Sequence, residues 1–261
     1  MNQAMKAVIE KDFKGIASNR RLFASLLIVP LALVIILPSI FIIVIHIIPD
    51  DPDLQKHIEL IPQQNLSGNI ELTVTRLIVN YILPAFFLII PIMASSIMAA
   101  SSFVGEKEKH TLETLLYTPL STGQIFRAKV MASFLLSMTV SLISFLAMFA
   151  VIEIETFFLM GSLLIPDINW VVVLLLLSPA VSLNANTQNV RGCAKAQSVE
   201  ESQQGAVFLI IPVMLLIVGQ FSGAMLLNVW ILLGLSLLCA AAAWLLMRRA
   251  LGKFTYEMLL R

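Results

Sequence analysis

Long apolar stretches alternate with short polar ones along this chain. The runs Leu22–Ile48, Leu77–Val104, Val130–Ile152, Ala206–Ala224 and Val229–Met247 each reach the ~18 residues that a helix needs to cross a hydrocarbon core. A shorter run, Trp170–Leu183, includes Pro179, and Asn184, Asn186 and Gln188 predict that it continues as a more polar helix into the cytosol. Lipid offers the backbone no hydrogen-bonding partner, so runs of this kind must be helices. The pattern predicts an all-α polytopic membrane protein forming one transmembrane domain. Its six spans would cover 22–48, 77–104, 130–152, 170–183, 206–224 and 229–247, the last two closing as a hairpin. Pro30 and Pro38 predict a bend in the first span. Phe157–Ile165 is too short to cross and reads as a re-entrant or interfacial piece.

Residues 1–21 carry a different period. Met5, Val8, Ile9, Phe13 and Ile16 share a helical face, with Lys6, Glu10, Asp12 and Lys14 assigned elsewhere. This predicts an amphipathic helix lying in the membrane interface, and Arg20-Arg21 leads from it into the first span. The apolar run starts only at Leu22 and is too long for a signal h-region, so no cleavable signal is expected.

Composition agrees with this layout. The chain has 261 residues, of which 59% are hydrophobic and 13% charged, against about 25% charged in globular domains; mean hydropathy is +0.92. The distribution of Lys and Arg sets the orientation. Of the 17 such residues, only Lys56 and Arg76 fall on one face of the predicted layout. The rest lie in the N-terminal segment, in 105–129, in 184–205 and in the tail, which places those segments and both termini in the cytosol. Trp170 and Trp230 then mark the outer interface and Trp244 the inner one.

Candidate chemistry is sparse. No acidic or basic residue lies within a predicted span, whereas ion-coupled carriers and pumps keep such groups at membrane depth. A P-loop is absent, as is any His-Glu-x-x-His zinc motif, so neither nucleotide hydrolysis nor membrane proteolysis is expected of this chain. The net charge of +1 gives no indication of a nucleic-acid partner. Cys193 and Cys239 lack metal-ligand spacing. In the second span Ser95, Ser96, Ala99 and Ser102 belong to a small-residue stretch that suits close helix packing or the lining of a substrate path.

The segment 105–129 is the most informative. It breaks at Pro119 into two helical pieces. In the first, Leu112, Leu115 and Leu116 form an apolar face beside Glu106, Glu108 and Glu113. The second opens with Ser121-x-x-Gln124, a capping box that starts a helix leading into the third span. Such a segment suits either docking of a soluble partner or a plain amphipathic connection.

Glu106, Lys107, Glu108, Thr111, Leu112, Glu113, Leu115, Leu116, Thr118, Pro119, Ser121, Ile125 and Lys129 resemble the signature of ABC-2 type transporter permeases. His110 stands where that family has Gly. The resemblance implies that 105–129 is a coupling helix seated in a groove of a separate ABC ATPase. It also implies that Glu106, Glu108, Thr111, Leu112, Glu113, Leu115 and Leu116 contact or support that interface. It implies two ATPase subunits, which bring ATP and Mg, and a second permease copy in a homo- or heterodimer. This chain would hold no cofactor or metal of its own and would sit in the cell's inner membrane as an exporter subunit. An apolar interior favours amphipathic cargo such as a peptide, toxin, drug or lipid-like molecule. The alternative is a membrane anchor or sensor that recruits a cytosolic partner without transport.

Overall fold

The computed structural model describes residues 3–47, 70–108, 120–193, 207–221 and 228–253. Among them every regular element is a helix, with no strand. Helix α1 (Gln3–Ser18) is followed by α2 (Arg20–Ile47), which runs without a break through Pro30 and Pro38. Next come α3 (Ile70–Leu77), a π-helical turn at Ile78–Ile82, α4 (Leu83–Phe87) and α5 (Ile89–Glu108), stacked as one rod. Helix α6 (Thr122–Met160) is the longest, at 39 residues. Then α7 (Ile168–Val172), a second π-helical turn at Val173–Leu177 and α8 (Ser178–Cys193) form another composite rod. Helices α9 (Val207–Phe221) and α10 (Val229–Lys253) complete the bundle.

Among the described residues five helical stretches are long and apolar enough to cross a membrane: Phe23–Ile47, Glu71–Glu106, Thr122–Met160, Ile168–Asn189 and Val229–Arg249. A shorter apolar helix covers Phe208–Phe221. The 15 described residues of α9 rise only about 22 Å at ~1.5 Å per residue, short of the ~30 Å hydrocarbon core. The structure departs from the sequence pattern at α6. Helix α6 extends beyond 130–152 at both ends, so Phe157–Met160 is its last turns and not a re-entrant piece. Gly161, in the left-handed region at φ 67°, ends the helix and donates to the Phe157 carbonyl at 3.1 Å. The fourth apolar run continues as a more polar helix through 184–193, as Asn184, Asn186 and Gln188 predict.

The α3–α5 rod is the most enclosed of the five stretches and α10 the least. Helix α8 packs on α5, α6 and α10, while α2 lies against α6. Large side chains fill the core, notably Phe87, Phe145, Phe149 and Trp170, whose ring centroids lie 4.9–6.1 Å apart. Trp170 is 1% exposed; it is a core residue, not a belt residue. Its interior position follows from its partner, because its indole Nε1 donates to the Val79 carbonyl at 3.1 Å. That carbonyl belongs to the first π-helical turn, where the regular ladder is broken. Pro84 has no N–H to give the carbonyl four residues back, and that carbonyl, of Asn80, accepts instead from Asn169 Nδ2 at 3.4 Å. Gln220 Nε2 donates to Tyr81 O at 2.5 Å. Three side chains from α7 and α9 thus donate to three consecutive carbonyls at this break, as a buried backbone requires.

Candidate functional site

Helix α1 folds back onto the loop end of α5 and α6. Val8 is buried, and with Met5 and Ile9 it packs against Leu120, Ile125 and Ala128. Part of the apolar stripe expected to face lipid is therefore covered by the chain itself, while Phe13 remains exposed. Asp12 lies one turn from Val8 on the same face and is 7% exposed. The helix turns an acid inward there because Lys129 and the Ser102 hydroxyl meet it.

Those contacts form a buried ion cluster. Lys129, near the start of α6, has no exposed side-chain surface, and its Nζ lies 2.7 Å from Glu106 Oε2 and 3.9 Å from Asp12 Oδ2. The same ammonium donates to the Ser102 carbonyl at 2.5 Å and to Ser102 Oγ at 3.0 Å. Ser102 Oγ donates onward to Asp12 Oδ2 at 2.7 Å. Lys11 Nζ reaches Glu106 Oε1 at 2.6 Å, and the Phe103 ring lies 5.0 Å from Lys129 Nζ. Two carboxylates and two ammonium groups balance, which is the condition under which buried charge is tolerated. Burial nonetheless pushes the Asp12 carboxyl above its usual value, against the pull of Lys129 and Ser102.

The cluster brings together the two ends of the segment singled out in the sequence. Helix α5 runs on to Glu108 and α6 begins at Thr122, with the capping box in place: Ser121 Oγ accepts from Gln124 N at 3.3 Å and Gln124 Oε1 accepts from Ser121 N at 3.0 Å. Glu106 is turned into the chain, and its carboxylate is engaged on both oxygens by Lys11 and Lys129. Glu108 closes α5. Thr111, Leu112, Glu113, Leu115 and Leu116 lie outside the described residues.

Ser95, Ser96, Ala99 and Ser102 are all buried, and the three serines make contacts of the helix-packing kind. Ser95, Ser137 and Ser182, from α5, α6 and α8, meet at 2.9–3.0 Å. Ser137 Oγ donates to the Pro91 carbonyl at 3.1 Å. Asn189 Nδ2 donates to Ser96 Oγ at 2.8 Å.

Sequence reasoning missed how far this seam extends. Ser133, Ser137, Ser141 and Ser144 on α6 and Ser178, Ser182, Asn186 and Asn189 on α8 recur at the three- and four-residue spacing of one helical face, and all are buried. Because the two helices are antiparallel and meet at Ser137–Ser182, Ser133 is level with Asn186 and Ser141 with Ser178. Ser133 Oγ, Ser141 Oγ, Ser144 Oγ, Ser178 Oγ and both amide atoms of Asn186 have no hydrogen-bond partner among the described residues. The file starts one turn from Lys129, so a continuous polar column leads from the ion cluster into the apolar bundle.

The model of the ABC-2 family transporter proteins matches residues 6–247. The chain belongs to the ABC-2 transporter family. Searches of curated proteins and of solved structures return no match. Family membership and the apolar helices make this a multi-pass membrane protein and a membrane component of a transporter. The matched span includes the ion cluster from Lys11 to Lys129 as well as the serine seam. No cluster of potential metal ligands exists among the described residues.

Proposed function

We propose that this ABC-2 protein is the permease subunit of an ATP-driven exporter, working as a dimer of permeases with two copies of a separate ATPase. In this reading Phe208–Phe221 belongs to a sixth span, both termini face the cytosol of an inner membrane, and the cargo is amphipathic. Residues 109–119, with Thr111, Leu112, Glu113, Leu115 and Leu116, seat in the ATPase. ATP and Mg act there, not in this chain.

The single observation that carries the proposal is the Lys129–Glu106 pair, tied to α1 through Lys11 and Asp12. It clamps the base of the proposed docking segment. A push on that segment would then move α5, α6 and α1 together, instead of fraying the ends of two independent helices. Transport systems need such a two-state rigid element to convert a local movement into a rearrangement of spans. Glu106 therefore supports the interface from inside, while Glu113 touches the partner.

The test is co-purification of the chain from its native membrane in mild detergent, followed by mass spectrometry. A stoichiometric P-loop ATPase is expected, and Glu113→Arg should release it while the chain still inserts. Co-purification of an equal amount of ATPase with that variant would overturn the docking assignment. Absence of any ATPase from the folded protein would favour the anchor reading.

A further inference from the structure

A cavity of about 250 Å³ lies among α5, α8, α9 and α10, on the face of α8 next to the serine seam. Ala185 and Gln188 of α8, Pro212 of α9, and Leu238, Ala242 and Leu246 of α10 define it. Its floor is closed by a tether between the walls, Asn184 Nδ2 donating to the Cys239 carbonyl at 2.7 Å. Its rim is open: Pro212 and Gln188 are exposed, and Leu238 is 66% exposed. Apart from Asn184, Gln188 and Cys239 the lining is apolar, which suits a rim that opens to the bilayer.

An apolar void of this kind leaves its lining without dispersion partners. A 150 Å³ apolar cavity accepts benzene, so by proportion this one accommodates roughly ten carbons. That matches a single alkyl chain entering sideways and excludes a folded peptide.

The α10 wall also indicates the head group. Leu235, Leu238, Ala242 and Leu246 line the cavity at three- and four-residue steps, and the next position on that stripe is Arg249. Arg249 is exposed and makes no ion pair among the described residues. Its neighbour Arg248 is engaged differently, its guanidinium stacked 3.8 Å from the Trp244 ring centroid. The cavity therefore has an apolar slot, a neutral amide at its mouth in Gln188, and an exposed guanidinium one turn beyond. That order matches the chain, ester region and phosphate of a membrane lipid, and a guanidinium binds phosphate by paired hydrogen bonds.

We propose that this cavity binds one acyl chain of an anionic bilayer phospholipid, with the phosphate held at Arg249. The site needs only that the chain be embedded in a bilayer. It does not depend on an ATPase partner, so a failed co-purification leaves it standing.

The experiment uses the full chain in detergent, on a Cys193→Ser background that leaves Cys239 as the sole thiol. Native mass spectrometry with added phosphatidylglycerol or phosphatidylcholine counts retained lipid, and maleimide labelling of Cys239 reports occupancy. Phosphatidylglycerol should be retained at one per chain and should slow Cys239 labelling about tenfold, a step of ~1.4 kcal/mol. Ala242→Phe, which fills the slot, should abolish both effects. Arg249→Gln should erase the preference for phosphatidylglycerol over phosphatidylcholine while retention of the latter persists. Equal retention by Ala242→Phe would overturn the site. So would protection of Cys239 by decanoate but not by phosphatidylglycerol, because the cavity would then serve free amphiphiles. Should Ala242→Phe fail to fold, the labelling of the Cys193→Ser protein decides alone: no slowing by phosphatidylglycerol overturns the proposal.

Discussion

Lys129 Nζ lies 2.7 Å from Glu106 Oε2 with no solvent-exposed side-chain surface of its own, so the ends of α5 and α6 are joined by a buried charge pair. A buried pair of this kind is costly to break from one side, because the remaining charge keeps its desolvation penalty without compensation. Lys129→Met should therefore destabilise the protein by about 3–5 kcal/mol. The double variant Lys129→Met with Glu106→Gln should recover part of that loss, since it leaves fewer unpaired charges. Denaturation of the purified single and double variants in one detergent measures the coupling; additive losses would show that the pair acts as two independent residues.

Asp12 supplies the pH dependence. Its carboxyl is raised above the ordinary 3.8, chiefly by burial and secondarily by Glu106, against Lys129, Ser102 and Lys11, which lower it. The folded state therefore holds this proton more tightly than the unfolded state does. Stability from this group is present below the unfolded value and is lost as pH rises from 3.8 through the raised folded value. Asp12→Asn keeps the shape and removes that titration. The stability difference, wild type minus variant, should fall with rising pH across that window and then level off. A difference that rises with pH would mean that the Lys129 attraction outweighs burial at this carboxyl.

Much of this was legible in the sequence because it rests on local pattern. Long apolar runs give the helices, and Ser121-x-x-Gln124 gives the start of α6 almost to the residue. What pattern cannot convey is which neighbour a face meets. Asp12 looks like one more charge on an amphipathic helix until Lys129 is seen opposite it. Trp170 looks like a belt residue until the π-helical turn at Ile78–Ile82 supplies a carbonyl for its indole. Lys129 and Glu106 are visible as signature positions, yet their burial depends on a fold-back of α1 that no periodicity encodes. The serine and asparagine repeats of α6 and α8 were readable at helical spacing; their joint meaning appears only once the two helices are set antiparallel.

The indole bond yields a clean test. Trp170→Phe retains an aromatic ring in the cluster with Phe87, Phe145 and Phe149 but removes the donor to Val79 O. The carbonyl then lies buried without its partner, a loss of about 1–3 kcal/mol beyond the smaller ring. Thermal unfolding of Trp170→Phe beside Phe145→Leu, which disturbs the same cluster without touching a hydrogen bond, separates the two effects. A Trp170→Phe loss near zero would show that the freed carbonyl finds another donor.

Asn186 poses the opposite case. Its side chain is fully buried, and neither amide atom has a partner among the described residues. A buried amide left unpaired costs about 1–3 kcal/mol, whereas leucine has the same branching and no polar atom. Asn186→Leu should therefore stabilise this conformation by an amount of that order, less whatever its extra volume costs in the packed seam. A natural chain that keeps such a group has reason to, and the polar column running from the Lys129 cluster supplies one. If the spans part during transport, the column becomes hydrated and Asn186 gains partners, so the unpaired amide narrows the gap between the two conformations. The variant should then be harder to unfold and slower to transport. A more stable protein with unchanged transport would remove Asn186 from the working cycle. A less stable protein would mean that the amide is already paired, by water within the seam.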